Sequence, residues 1–260
     1  MPRRSLAGCR AIVTGASSGI GKALAAELYE GGAELVITAR RADRLEQLAK
    51  ELQRDGQKIV PVAGDIASAE LRKMLVQTAV DELGGLDLLI NNAGIGAIGP
   101  FAEADEDRLR QIMEVNFFAP LELIRTALPC LQEGTHPLIV NVSSVLGHCA
   151  VPGKSEYCAS KFALHGFTDA LREELRGQGI DVLLVSPSTT DSEFFAQVID
   201  KPAGEQVRVS PLKMTPRRVA RKIVRAIRSG KREIILSASG KMLVLADRIA
   251  PGVVSWFLSR

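Results

Sequence analysis

The sequence is poor in the residues that build metal centres, disulfide frameworks and membrane spans. Its 260 residues hold four cysteines (Cys9, Cys130, Cys149, Cys158) and three histidines, with no CxxC and no Cys/His spacing. Scattered thiols of this kind read as reduced cysteines of a cytosolic-type protein, so neither a disulfide framework nor a metal site is expected. No stretch approaches the ~18 uninterrupted apolar residues of a spanning helix. Two arginines precede an apolar run near the start, but Thr14 and Gly15 break that run, short of the ~7–15 residues an export signal needs. Charge of one sign is also lacking: a net +3 is too near balance to predict nucleic-acid binding. Only two tyrosines and one tryptophan occur, so a tyrosine in an unusual setting stands out.

What the chain does have is apolar material, 46% of its residues, enough for one well-buried core. Short apolar, β-branched runs recur at 11–13 (AIV), 35–38 (LVIT), 59–62 (IVPV), 86–90 (LDLLI), 138–142 (LIVNV), 180–185 (IDVLLV) and 233–236 (EIIL). Runs without alternation suit strands covered on both faces. Between them lie helix-length segments with apolar residues at threes and fours. IGKALAAELYEGG stops at Gly31-Gly32, RADRLEQLAKELQRDG ends at Gly56, and Ser68 stands as N-cap before AELRKMLVQTAVDELGG. Strand and helix in alternation predict an α/β fold with parallel pairing, right-handed crossovers and helices on both faces. With no linker or low-complexity stretch, residues 1–260 are expected to form a single domain.

TGASSGIGKAL follows the first strand. Glycines between a strand and a helix let backbone approach a pyrophosphate, and the helix N-terminus favours its charge. Gly15, Ser17, Ser18, Gly19, Ile20 and Gly21 are therefore candidate cofactor contacts, although Gly-x3-Gly-x-Gly departs from the usual G-x-G-x-x-G. About 20 residues on, an NAD site would place an acid against the ribose 2′-hydroxyl. Here Ala39 holds that place, with Arg40 and Arg41 beside it. An acid repels a 2′-phosphate, whereas an arginine clamps it with paired hydrogen bonds. Arginines opening a helix are ordinary solvated residues in the plainer reading, but they oppose the macrodipole, which asks for a further reason. NADP(H) is thus expected in preference to NAD(H). Asp65, with Ile66 beside it, is placed either to reach the adenine amino group or to cap the next helix. Asn92, Ala93 and Gly94 in NNAG combine an amide tie between strand ends with room for a cofactor.

YCASK sets Tyr157 four residues before Lys161. Residues four apart on a helix share a face, so the ammonium favours phenolate and lowers a pKa otherwise near ~10. Alone, such a pair is more often an aromatic body beside a solvated amine. Joined to TGASSGIG at 14–21, NNAG at 91–94, Asn116 in VNFFAP and NVSS at 141–144, it resembles the short-chain dehydrogenases/reductases. Order and spacing agree from residue 8 to about 187. The resemblance implies a Rossmann-type, doubly wound, mostly parallel seven-stranded sheet and nicotinamide-dependent interconversion of a carbonyl and a secondary alcohol. It implies roles as well: Tyr157 as general acid/base, Lys161 binding the nicotinamide ribose, Ser144 holding the substrate oxygen, and Asn116 holding a water in a proton relay. Two other readings stay open, a 3-oxoacyl-carrier-protein reductase and a non-catalytic NADP(H)-binding redox sensor; a sensor needs none of these four residues.

The pattern departs after the sixth strand, where the family has Pro-Gly and then Thr. Here Pro187 is followed by Ser188, and Ser192 stands at the threonine position, with Thr189 and Thr190 as substitute contacts. A positive backbone angle at Ser188 would cost more than at glycine. Residues 192–214 are expected to form a substrate flap lined by Phe194, Phe195, Val198 and Ile199, and His148 is expected near the same cleft. TPRRVARKIVRAIRSGKR reads as a helix with a strongly basic face, a solvated surface or a dock for an acidic carrier or lipid headgroups. The apolar tail 241–260, with Trp256, is expected to pack on the core or a sister subunit, with a membrane surface as the alternative. The expected protein is a cytoplasmic homodimer or homotetramer, peripheral to a membrane only through that tail, acting on a small lipophilic carbonyl or alcohol.

Overall fold

The computed structural model describes residues 3–196, 198–199 and 213–258, so most of the predicted flap lies outside the described residues. The apolar runs form seven strands: β1 (Arg10–Thr14), β2 (Glu34–Ala39), β3 (Ile59–Ala63), β4 (Leu88–Asn91), β5 (Leu138–Val142), β6 (Asp181–Ser186) and β7 (Glu233–Ile235). They pair in one parallel sheet in the order β3-β2-β1-β4-β5-β6-β7. Pro61 is tolerated in β3 because that strand lies at the sheet edge.

Successive residues of each central strand face opposite sides, and each side has its own core. Val13, Leu35, Ile37 and Ile90 pack with α1 (Gly19–Glu30), α2 (Ala42–Leu52) and α7 (Pro216–Arg228). Ile12, Val36, Leu89 and Ile139 pack with α3 (Ala69–Leu83), α5 (Ala119–Gln132) and α6 (Ser155–Leu175). Burial on both faces explains why these strands carry no polar alternation. The other tyrosine, Tyr29, lies wholly within the first core and donates to Gln57 O at 2.8 Å.

The chain leaves β3 at one edge and re-enters beside β1 as β4, so the strand order reverses between β1 and β4. In open α/β sheets that reversal opens a crevice at the carboxyl ends of the strands, where ligands bind. Between β4 and α6, α4 (Glu106–Met113) runs into α5 through a π-helical turn at Glu114–Phe118. That turn was not read from the sequence.

The basic helix α7 buries Val219, Ile223 and Ile227, and two of its arginines, Arg217 and Arg221, pair with Glu27 of α1 at 3.2 and 3.0 Å. Past β7, α8 (Ala238–Ile249) and α9 (Pro251–Leu258) bury Val244 and Val254. Met242, Leu245, Ile249, Val253, Trp256 and Phe257 are exposed, so core packing absorbs only part of the tail. No helix among the described residues is long and apolar enough to cross a membrane.

Candidate active site

A cavity of about 1200 Å³ opens along the carboxyl ends of the strands, from the glycine loop to Tyr157. It exceeds the ~300–1,000 Å³ usual for ligand clefts and has room for a dinucleotide beside a substrate. Gly15 and Gly19 sit in it at φ +69° and +54°, conformations that suit glycine. Gly21 is fixed by close approach: a Cβ there would lie 2.1 Å from Gly15 O. The Thr14 hydroxyl accepts from the backbone N–H of both Asn92 and Ala93 (3.0 and 2.9 Å), and Asn92 Nδ2 donates to Thr14 O at 2.9 Å. These bonds hold NNAG against the loop, leaving a glycine-walled cradle at the N-terminus of α1 that fits a pyrophosphate.

The adenosine end of the cradle is cationic. Arg41 stands at the N-cap position of α2 without capping it and points its guanidinium back at the loop, donating to Ser17 Oγ (3.0 Å) and Ser18 Oγ (2.8 Å). Arg40 also lines the cavity but is exposed. Asp65 and Ile66 line the same end, and Asp65 Oδ1 also accepts from Ala67 N at 3.0 Å, so lining and turn-capping coexist. Arg44, not singled out in the sequence, stands one turn along α2 and joins Arg41 on the carboxylate of Glu193.

At the other end Ser144, Tyr157 and Lys161 line the cavity together. Ser144 caps the short helix Val145–Gly147 by accepting from Leu146 N at 3.1 Å, and its hydroxyl is also hydrogen-bonded to the Tyr157 phenol. Lys161 is 4% exposed, donates to Val142 O at 3.1 Å and lies 5.8 Å from the Tyr157 ring centre. Burial pushes the phenol up to about 12 in spite of the Ser144 bond, and pushes the Lys161 ammonium down to about 8. The net shift of the phenol is therefore upward, with desolvation its largest cause. Desolvation disfavours both charged forms, and an ammonium at this distance does not offset it. The phenol is held as a proton donor.

Asn116 does not line the cavity. It is fully buried in the π-turn, its Oδ1 accepting from Ile95 N (2.8 Å) and its Nδ2 donating to Ile95 O (2.9 Å) and Ser160 Oγ (3.0 Å). Both amide hydrogens are thus used in tying the segment after β4 to α6. π-Turns recur where a helix must present one residue out of register. Ser160 in turn donates to Tyr157 O at 2.8 Å. The residue before the tyrosine, Glu156, makes a buried ion pair with Arg108 of α4, which sequence spacing gave no means of finding.

His148 lies outside the cavity lining. Its side chain is 2% exposed, its Nε2 is 2.7 Å from Ser186 Oγ, and its ring centre lies 4.3 Å from that of His165, the two rings tilted by 58°. It turns away because the loop after β5 folds back on α6, where Gly147 O meets His165 Nδ1 at 3.1 Å. His148, His165 and Glu233 bring ligand atoms within 4.8 Å of one another there, a grouping that no motif announced.

Pro187, Thr189 and Thr190 line the cavity, and Ser188 does so without the feared strain: among the described residues only His136 is a non-glycine at positive φ. Phe194 lines it and meets the Tyr157 ring edge-on at 5.7 Å. Val198 lines it as well, whereas the side chain of Phe195 lies outside the described residues. Ile199 is not in the lining but pairs with Ala97, which is. Leu243, Phe257 and Leu258 from the C-terminal helices join the wall, which the sequence did not foretell.

Comparison with known proteins agrees with this geometry. The short chain dehydrogenase family profile matches residues 10–203. A short chain dehydrogenase of Pseudocercospora fijiensis is 37% identical over 74% of this chain, a match spanning 62% of that relative's length. The ketoacyl reductase HetN of Nostoc is 32% identical, with 97% of this chain and 90% of the relative covered. A short chain dehydrogenase of Burkholderia cenocepacia, solved in complex with NADP, has a TM-score of 0.81 at 29% identity, over 98% of this chain and 99% of that one. One from Burkholderia phymatum, solved with NAD, shares the fold with a TM-score of 0.87 at 23% identity, over 96% of each chain. The chain is an oxidoreductase that belongs to the short-chain dehydrogenase/reductase family.

Proposed function

We propose that this chain is an NADP(H)-dependent carbonyl reductase, reversible as an alcohol dehydrogenase, for a lipophilic substrate. The observation that carries it is the convergence of Ser144, Tyr157 and Lys161 at one end of a cavity whose other end is a glycine cradle flanked by Arg41. When bound, the nicotinamide cofactor supplies or accepts a hydride; the protein must handle the proton. Tyr157 donates its phenolic proton to the carbonyl oxygen in reduction, and the Ser144 hydroxyl holds that oxygen by a hydrogen bond that strengthens as negative charge develops on it. Lys161, near Gly94 and bonded to Val142 O, would bind the nicotinamide ribose. Burial holds the phenol protonated, the form that donates in reduction; the reverse reaction needs the phenolate.

NADP(H) is favoured by Arg41, Ser17 and Ser18, which form an anion-binding corner with Ala39 in the position an NAD site gives to an acid. Known relatives in the fold use either cofactor, so the preference rests on these residues. A lipophilic substrate is favoured by Phe194, Val198, Leu243 and Phe257 around the chemical end. A second reading, reduction of 3-oxoacyl groups on a carrier, draws support from the Nostoc relative's name.

The test is a panel of hydrophobic ketones and 3-oxoacyl thioesters with NADPH or NADH, followed by nicotinamide absorbance. Turnover with NADPH should fall about 10²–10⁴-fold in Tyr157→Phe. Wild-type turnover in that variant overturns the proton-donor assignment, and equal kcat/KM for both cofactors overturns the NADP(H) preference.

A further inference from the structure

We propose that Glu193 is a cofactor-specificity residue: its carboxylate holds the place of the cofactor's 2′-phosphate on Arg41 and Arg44 and competes with it. The inference rests on the NADP(H) reading and deepens it. Glu193 opens the short helix Glu193–Ala196, far along the chain from α2, yet its carboxylate accepts from Arg41 Nη1 at 2.9 Å and from Arg44 Nη1 at 2.8 and 2.7 Å. Arg41 is the same guanidinium that donates to Ser17 and Ser18 at the glycine loop. The preceding residue, Ser192, lies against the glycine loop, since a Cβ on Gly19 would be 3.2 Å from Ser192 Cβ.

A corner of two guanidiniums and two hydroxyls that already holds one anionic group has the donors a phosphate monoester needs. The carboxylate is a poorer occupant than the dianion: it offers two oxygens in place of three and about half the charge. Its side chain is 46% exposed, so it can leave for water without stranding a buried charge. A 2′-phosphate entering the corner displaces Glu193, whereas a 2′-hydroxyl leaves both ion pairs standing. Glu193 therefore lowers the affinity for NADP(H) and leaves that for NAD(H) little changed.

Displacement also reaches the chemical end. The next residue, Phe194, packs edge-on against Tyr157 at 5.7 Å. Two consecutive residues thus touch the cationic corner and the catalytic ring. Removing the carboxylate would loosen the attachment of Phe194, so KM for a bulky ketone should respond to the choice of cofactor in the wild type and lose that response in Glu193→Gln.

The experiment is equilibrium titration of the full-length protein with 2′,5′-ADP and with 5′-AMP, which isolates the adenosine end from the nicotinamide. Wild type is compared with Glu193→Gln, Glu193→Asp and Arg41→Ala, each checked by thermal denaturation. Glu193→Gln should tighten 2′,5′-ADP by roughly 5–20-fold, in the range of ordinary site-to-site coupling, with 5′-AMP unchanged within about twofold. Glu193→Asp, too short to span both guanidiniums, should move the same way by less and serves if the glutamine variant does not fold. Arg41→Ala should weaken 2′,5′-ADP by roughly 10–100-fold, the worth of a charged hydrogen bond. If Arg41→Ala weakens 2′,5′-ADP but neither Glu193 variant tightens it, or both nucleotides shift alike, the Glu193 inference is overturned. If Arg41→Ala leaves 2′,5′-ADP binding untouched, the NADP(H) reading itself fails.

Discussion

Removing one partner of the Arg108–Glu156 ion pair should destabilise the protein far more than removing both. Each side chain is 2% exposed, and the pair spans α4 and the first turn of α6. Arg108 donates through Nε at 3.0 Å and Nη2 at 2.5 Å to a single oxygen of Glu156, whose second oxygen accepts from Ser155 Oγ at 2.9 Å. Two charges taken from water at this depth recover little net stability from each other, but one left alone costs about 3–5 kcal/mol. For a chain of this size each kcal/mol moves Tm by about 2–4 °C, so Arg108→Met or Glu156→Leu alone should lower Tm by roughly 6–20 °C. The double variant should return close to wild type, since a well-packed apolar pair is often neutral. Against the upward push of its burial, the Arg108 bonds hold the Glu156 carboxyl below the usual carboxylate range. A folded-state pKa below the unfolded one means stability that is present above pH ~4.5 and lost as pH falls through the folded value. Wild type should therefore show a larger acid-side loss in Tm than the double variant, in which Asp87 and the other paired carboxylates remain. Because Glu156 adjoins Tyr157, kcat should fall in the single variants even at temperatures where they are folded. Calorimetric melts of all four proteins across pH 3–8 provide the test. Single variants that melt with the wild type, or a double variant that melts with the worse single, would refute the reasoning.

Two further outcomes follow from buried bases. Lys161→Met removes an ammonium that burial holds at about 8 against 10.5 in water. It should raise stability at pH 7 by up to about 3 kcal/mol, less the lost bond to Val142 O, while activity collapses. The sign is checkable: as pH climbs from about 8 to 10.5, where only the unfolded lysine holds its proton, wild-type stability should gain on that of the variant, while the raised thiols of Cys9 and Cys149 act on both proteins alike. His148 is pushed down to about 4, by burial first and then by His165 and Arg248. Its neutral form contributes up to about 3 kcal/mol that is fully present above pH ~6.5 and lost as pH falls towards 4, so urea melts of His148→Gln should lack that slope.

What was legible in the sequence was whatever one element carries by itself. β1, β2, β4, β5 and β6 announced themselves because a strand buried on both faces admits no polar alternation, and the glycine loop did because Gly15 and Gly21 answer to local angles and close approach. Tyr157 and Lys161 were legible as neighbours for the same reason, being four apart on α6. Their protonation was not, because the water around a phenol is set by every element that packs against it. Arg108 and Glu156 meet across 48 residues, and Arg41 and Glu193 across 152; no periodicity links such partners. His148 was misplaced on the same ground: its neighbourhood in the chain is the cavity wall, but its hydrogen-bond partner Ser186 comes from β6. The π-turn at Asn116 hid differently, since one extra residue in a helical turn changes neither composition nor hydrophobic spacing enough to be read. The chemistry of this site is thus written in short motifs, while what tunes it is written in pairs that only the crossovers bring together. A relative that keeps YCASK but exchanges the partners of Glu156 or Arg41 should keep the reaction and change its cofactor, its pH range or its stability.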